Sequence, residues 1–246
     1  MNRYILTLLS RTIFWILLAG WPSTFCWAQS PSALQGASPK LKQFLADHPT
    51  ASRSLSTALS EAFAARTLQI YYFYSDDESL ARANHTCPTK ASVVISIREN
   101  QLPCDECSCL LFEILNSEGD ERFYQLYDMA KAGTISKVDF ATEMLRQEFN
   151  SVKKTRDSIG NWGLNQKEMA ESYDYNRLIH CPNEFDNFMS YIAKVSPKRH
   201  AFEDYETYYD SLNNPASPAK MQAKFTSPQI SPTVSTNAAS IAPYKQ

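Results

Sequence analysis

The chain has 246 residues, 24 basic against 26 acidic side chains and a net charge of −2, with no stripe of lysine or arginine. That balance excludes the electrostatic footprint of a nucleic-acid-binding protein or of one held to an anionic membrane surface. Only 6 glycines stand against 13 tyrosines, 13 phenylalanines and 4 tryptophans, which favours helices and packed surfaces over glycine-rich loops in a chain long enough for one core.

The amino terminus reads as a leader. Arg3 is a positive n-region and Arg11 precedes the apolar run Ile13 to Gly20, which is too short for a bilayer that needs about 20 residues. Pro22 and Ser23 break the run, and Cys26-Trp27-Ala28 puts small residues where a signal peptidase reads. Residues 1–28 are expected to be removed before Gln29, which makes the product secreted or periplasmic, with a bacterial envelope the better fit. An uncleaved anchor would bury Arg11, and no later run approaches membrane length, so no membrane span is expected after cleavage.

Residues 29–50, rich in Ser, Pro, Ala and Gln, read as a linker. One globular domain is expected over 51–212. Residues 213–246 carry Pro215, Pro218, Pro228, Pro232 and Pro243 among Ser, Thr and Ala; such a tail cannot bury enough surface to offset its ordering entropy and reads as disordered.

Within the domain, Leu55, Leu59, Ala62 and Phe63 recur at helical spacing over 54–66. Leu68 to Tyr74 is aromatic and β-branched, a strand. The polar stretch Ser75 to Lys90, with Asp76, Asp77 and Glu78, reads as a solvated loop lacking the spaced ligands of a calcium loop. Ala91 to Ile97 is a second strand, with Val93, Ile95 and Ile97 on one face. Helices follow at 105–117, 120–132, 136–156, 183–194 and 198–212, with Asp120, Ser136 and Asn183 as N-caps, Gly133 as a stop and Trp162 in a connector. The fold class is α+β, a helix-dominated single domain with a small β-sheet.

Five cysteines follow the leader: Cys87, Cys104, Cys107, Cys109 and Cys181. In an exported chain disulfides are the default use, and Cys87 with Cys104, or Cys181 with one of the cluster, are candidate pairs. An odd number leaves at least one thiol over. A structural zinc at Cys104, Cys107 and Cys109, with His85, Cys87, His180 or Cys181 as remote ligands, is the competing use, but a knuckle wants two paired clusters in loops. No cofactor is expected.

The helix Cys107 to Asn116 turns Cys107, Leu110, Leu111 and Ile114 toward a core. Phe112 and Asn116, with Glu113 beside them, lie on its other side, and a phenylalanine there implies that this side is covered too. The spacing Phe112-Glu113-Ile114-Leu115-Asn116 resembles the zincin signature, in which two histidines at i and i+4 ligate zinc and the glutamate is the general base. The later helix from Lys137 to Thr155 offers Glu148 where a third, acidic ligand would stand. The resemblance implies a zincin-like, metallopeptidase-type core over about 68–156, with Glu113 as the base and Glu148 as the ligand. It also implies a degenerate one, because Phe112 and Asn116 replace both histidines and neither is a zinc ligand of use. Without the resemblance, Glu113 and Glu148 are ordinary helix residues.

Other chemistry is thinner. His48 and His200 lie in segments that read as exposed, leaving His85 or His180 with Cys107 or Cys109 for a Cys-His peptidase. Asn84-His85-Thr86 is a glycan acceptor sequence only in a eukaryotic secretory route. The tyrosines at 173, 175, 191, 205, 208 and 209 serve either helix packing or a binding surface. The expectation is an exported, non-catalytic domain that binds another envelope or extracellular macromolecule, with a secreted hydrolase as the alternative.

Overall fold

Ser38 and Pro39 start the first helix, the serine hydroxyl accepting from the backbone N–H of Leu41 and the proline standing where a missing N–H costs nothing. In the computed structural model, which describes residues 34, 36–74, 83–89, 91–195 and 201–213 and leaves the side chains of 87–89 aside, this is α1 (Pro39–Asp47). Its Leu41, Phe44 and Leu45 are buried at helical spacing. The described part of the expected linker therefore belongs to the domain: three apolar side chains on one stripe make residues 39–47 a packed element. The leader up to residue 33 and the tail from residue 214 lie outside the described residues.

After α2 (Pro49–Ala65) come β1 (Thr67–Phe73), β2 (Ala83–Thr89) and β3 (Ser92–Arg98). β3 is central, parallel to β1 and antiparallel to β2. Val93, Ile95 and Ile97 are buried on the face the alternation assigned them. β2 occupies part of the stretch read as a loop. It is an edge strand whose pairing slips between Thr86 and Thr89, beside Pro88, which has no N–H to give a ladder.

The rest is helical: α3 (Pro103–Ser117), α4 (Asp120–Lys131), α5 (Lys137–Ile159), α6 (Gln166–Glu171), α7 (Tyr173–Ile179), α8 (Phe185–Val195) and α9 (Ala201–Asn213). The class is α+β, helix-dominated with a small mixed sheet. Ser136 caps α5 as expected, accepting from Asp139 N–H, and Gly133, at φ +66°, closes α4. Asp120 is not a cap; it is the first residue of α4, after Gly119, and its carboxylate is used elsewhere.

Among the described residues three apolar clusters fill the interior, a small one of Phe149, Cys181 and Phe188 beside two larger ones. One lies between the inner face of the sheet and α1, α2 and α3; the other joins α4, α5 and α9 around Phe140. α3 is the hub, packing on the sheet and on α1, α2, α5 and α7. From Cys104 to Ser117 every residue except Phe112 is buried, so the side that carries Glu113 and Asn116 is covered while Phe112 itself is half-buried. Among the described residues no helix is long and apolar enough to cross a membrane.

Candidate functional site

A helix buried on all sides should carry no charge, because an unpaired buried carboxylate is expensive. α3 nevertheless buries Asp105, Glu106 and Glu113. The fate of each carboxylate defines what this helix does.

Glu113 faces β2. His85 lies directly opposite Ile95 in the antiparallel register, so its side chain joins that of Ile95 on the face toward α3. Its Nδ1 donates to Glu113 Oε2 at 2.7 Å and its Nε2 to Asp120 Oδ1 at 3.2 Å. Asp120 also accepts from Arg66 Nη1 at 2.6 Å, and Arg66 Nη2 reaches the carbonyl and hydroxyl of Ser117. Burial opposes a charge on His85, but the hydrogen bonds to Asp120 and Glu113 overcome it and raise its pKa to about 10. Two cations and two carboxylates thus neutralise one another in a shielded cluster, with Glu113 7% and Asp120 5% exposed.

The two carboxylates sit on opposite nitrogens of one ring, a geometry in which they do not converge on a shared third partner. Among the described residues no group of three or more His, Cys, Asp or Glu side chains is placed to hold a metal. Glu113, buried and hydrogen-bonded to His85, has little access to water.

Glu148 is placed apart. It accepts from the Tyr205 hydroxyl and borders, with Phe112, Val152, Arg177 and Phe188, a cavity of about 40 Å³ beneath α8. Asn116 is buried and does not line that cavity. The structure therefore brings Phe112 and Glu148 together and gives Glu113 different partners.

The thiols of Cys104, Cys107, Cys109 and Cys181 are buried and unbridged; the Cys87 side chain lies outside the described residues. Burial pushes all four up, Cys104 to about 12 and Cys181 to about 11, which disfavours the thiolate that a nucleophile needs. Cys109 donates to Gln101 Oε1, Cys181 to the Pro182 carbonyl, and Cys104 is hydrogen-bonded to Ser172. His85 serves the carboxylates and His180 is exposed. His48 is not exposed as expected: it stacks on Phe44 with ring centroids 4.4 Å apart and pairs with Glu168 at 2.9 Å. His200 and Asp76 to Glu78 lie outside the described residues.

Asp105 caps α7 across 68 residues of chain, accepting from the backbone N–H groups of Tyr173, Asp174 and Tyr175. Glu106 sits beneath α1, bonded to Ser38 Oγ at 2.9 Å. Most of the tyrosines serve packing: Tyr175 and Tyr205 are buried, Tyr208 and Tyr209 pack on Phe140, and Tyr191 donates to the Arg177 carbonyl. Tyr173 alone of the six is exposed, with its hydroxyl on the Val195 carbonyl.

On the outside, α3, α4 and α5 enclose an open groove of about 610 Å³, lined by Leu115, Glu118, Arg122, Gln147, Asn150 and Lys154 among others. Its walls carry both signs of charge, with Lys154 Nζ 2.7 Å from Glu118 Oε2. Sequence reasoning missed Arg66, Ser117 and the role of Asp120; the available signal was a run of polar residues at the end of an otherwise buried helix. The chain matches no protein-family model, and neither a curated protein nor a solved structure matches it.

Proposed function

We propose that this is an exported, non-catalytic α+β domain that acts by binding another envelope or extracellular macromolecule. One observation carries the reading: Glu113, the single residue of the zincin-type pattern that could act as a base, is held in a buried ion pair with His85 at 2.7 Å. A carboxylate committed to an imidazolium positions no water, and Phe112 and Asn116 beside it supply no zinc ligand. A zincin-like ancestry remains our reading of the α3 pattern, with the catalytic glutamate turned to a structural use. The mixed-charge groove of α3, α4 and α5 is the surface we assign to the partner, since it is concave, polar and built on rigid helices.

Metal analysis of the purified protein, with a peptide-cleavage assay on wild type and Glu113→Gln, tests the reading. We expect no stoichiometric metal and no turnover in either protein, with Glu113→Gln less stable. Stoichiometric zinc together with turnover that Glu113→Gln abolishes would establish the hydrolase instead. A turnover lost in a Cys107→Ser or Cys109→Ser variant would establish the Cys-His form of it.

A further inference from the structure

Glu106 is fully buried on α3, and only one of its oxygens is satisfied: Oε2 accepts from Ser38 Oγ, while Oε1 has no hydrogen-bond partner among the described residues. The Tyr72 hydroxyl of β1, close enough to feel the charge of Glu106, is likewise buried without a partner. Ser38 is the residue that caps α1. The segment before it is seated tightly: a Cβ on Gly36 would lie 3.3 Å from the Tyr72 ring, Ala37 is 4% exposed, and Leu34 packs on the core. A carboxyl with one bare oxygen in an apolar seam is tolerated neutral and resisted as an anion.

We infer that Glu106 is a proton-operated latch: its neutral carboxyl lets α1 dock on the core, and its ionisation favours opening of that helix. The groups facing it come from every neighbouring element. Glu99, just after β3, repels the anion; Lys40 of α1 attracts it; Tyr72 of β1 and Cys107 on α3 are themselves kept protonated by burial. Burial is the largest influence and lifts the carboxyl to about 7, against the lowering contributed by Ser38 and Lys40. In the opened state the carboxyl meets water and returns to its ordinary value of 4.5. The opening equilibrium then rises with pH between those values, by on the order of 100-fold in total. Leu41, Phe44 and Leu45 remain favourable to docking throughout, so the opened form is a minority that exchange can detect.

Hydrogen exchange of the α1 amides in the full chain, measured from pH 5 to pH 8 and divided by the intrinsic chemical rates, reads the opening constant directly. Wild type should show a rise on the order of 100-fold that levels off above pH 7, with α5 as the control for global unfolding. Glu106→Gln should be flat. A flat wild type, or a rise retained in Glu106→Gln, overturns the latch. If Glu106→Gln does not fold, the exposed Lys40→Gln carries the test: removing that cation must move the inflection to higher pH, and an unmoved inflection rejects the assignment.

Discussion

Three carboxylates on one buried helix meet three different physical fates. Asp105 is satisfied by backbone N–H groups, Glu106 has its pKa lifted by burial to about 7, and Glu113 is paired. The pair is the most expensive to disturb, because removing one partner of a buried ion pair leaves the other uncompensated, at about 3–5 kcal/mol. We expect His85→Leu to lower stability by that order, read as a fall in the urea midpoint with an unchanged slope. The double variant His85→Leu with Glu113→Leu should recover much of the loss, since replacing both charges by apolar groups of similar volume is often near neutral. If the double variant is as unstable as the two single losses added, packing and not charge is what His85 supplies. By contrast, the surface pair of Lys154 with Glu118 contributes about 0–1 kcal/mol.

At the scale of elements, α7 is too short to form alone, since isolated helices need about 12–15 residues even to be marginal in water. It exists because Asp105 supplies from α3 the acceptors that its first N–H groups lack. Asp105→Ala strands three backbone donors at once, and we expect a loss of about 2–3 kcal/mol from the combined cost of a lost cap and unsatisfied buried donors. The rise in hydrogen exchange should be concentrated in 172–181; a uniform loss across the domain would refute a capping role. That dependence explains why α7 was not legible in the sequence: its start signal lies 68 residues away. β2 was illegible for a related reason, as its polar sequence with Pro88 becomes a strand only through pairing with β3 and through the ion pair of His85. The longer helices were legible because their apolar stripes are self-contained, and β3 because Val93, Ile95 and Ile97 alternate. α1 is legible too, since Ser38 and Pro39 mark a start and Leu41, Phe44 and Leu45 mark a face, but the Ser, Pro, Ala and Gln around them have the composition of a linker and mask that period. Glu113 was legible only as the base of a zincin-like pattern or as an ordinary helix residue; what it pairs with was not, because His85 approaches from a strand that the sequence presents as loop.

At the scale of the whole molecule, the buried groups make stability a directed function of pH. Folded Glu106 keeps its proton to about 7 and the unfolded chain only to 4.5, so its penalty is absent below 4.5 and grows to its full size by about 7. Folded His85 keeps its proton to about 10 and the unfolded chain only to 6.5, so the stability it contributes is complete below 6.5 and disappears as pH rises through 10. Both groups make the folded state the better proton binder, and stability therefore falls as pH rises through each window. With one extra proton bound in the upper window, the slope approaches about 1.4 kcal/mol per pH unit. The buried thiols add a loss of the same sign once unfolded cysteine ionises near its ordinary value of 9.0, so the decisive range is pH 7 to 9. There we expect the wild-type urea midpoint to decline steadily. The paired variant of His85→Leu with Glu113→Leu should be flat over that range while keeping its decline between 4.5 and 7, and Glu106→Gln should show the reverse. A wild-type midpoint constant from pH 7 to 9 would mean that the imidazole is not charged in the fold. The ion pair on which the proposed non-catalytic role of Glu113 rests would then be lost.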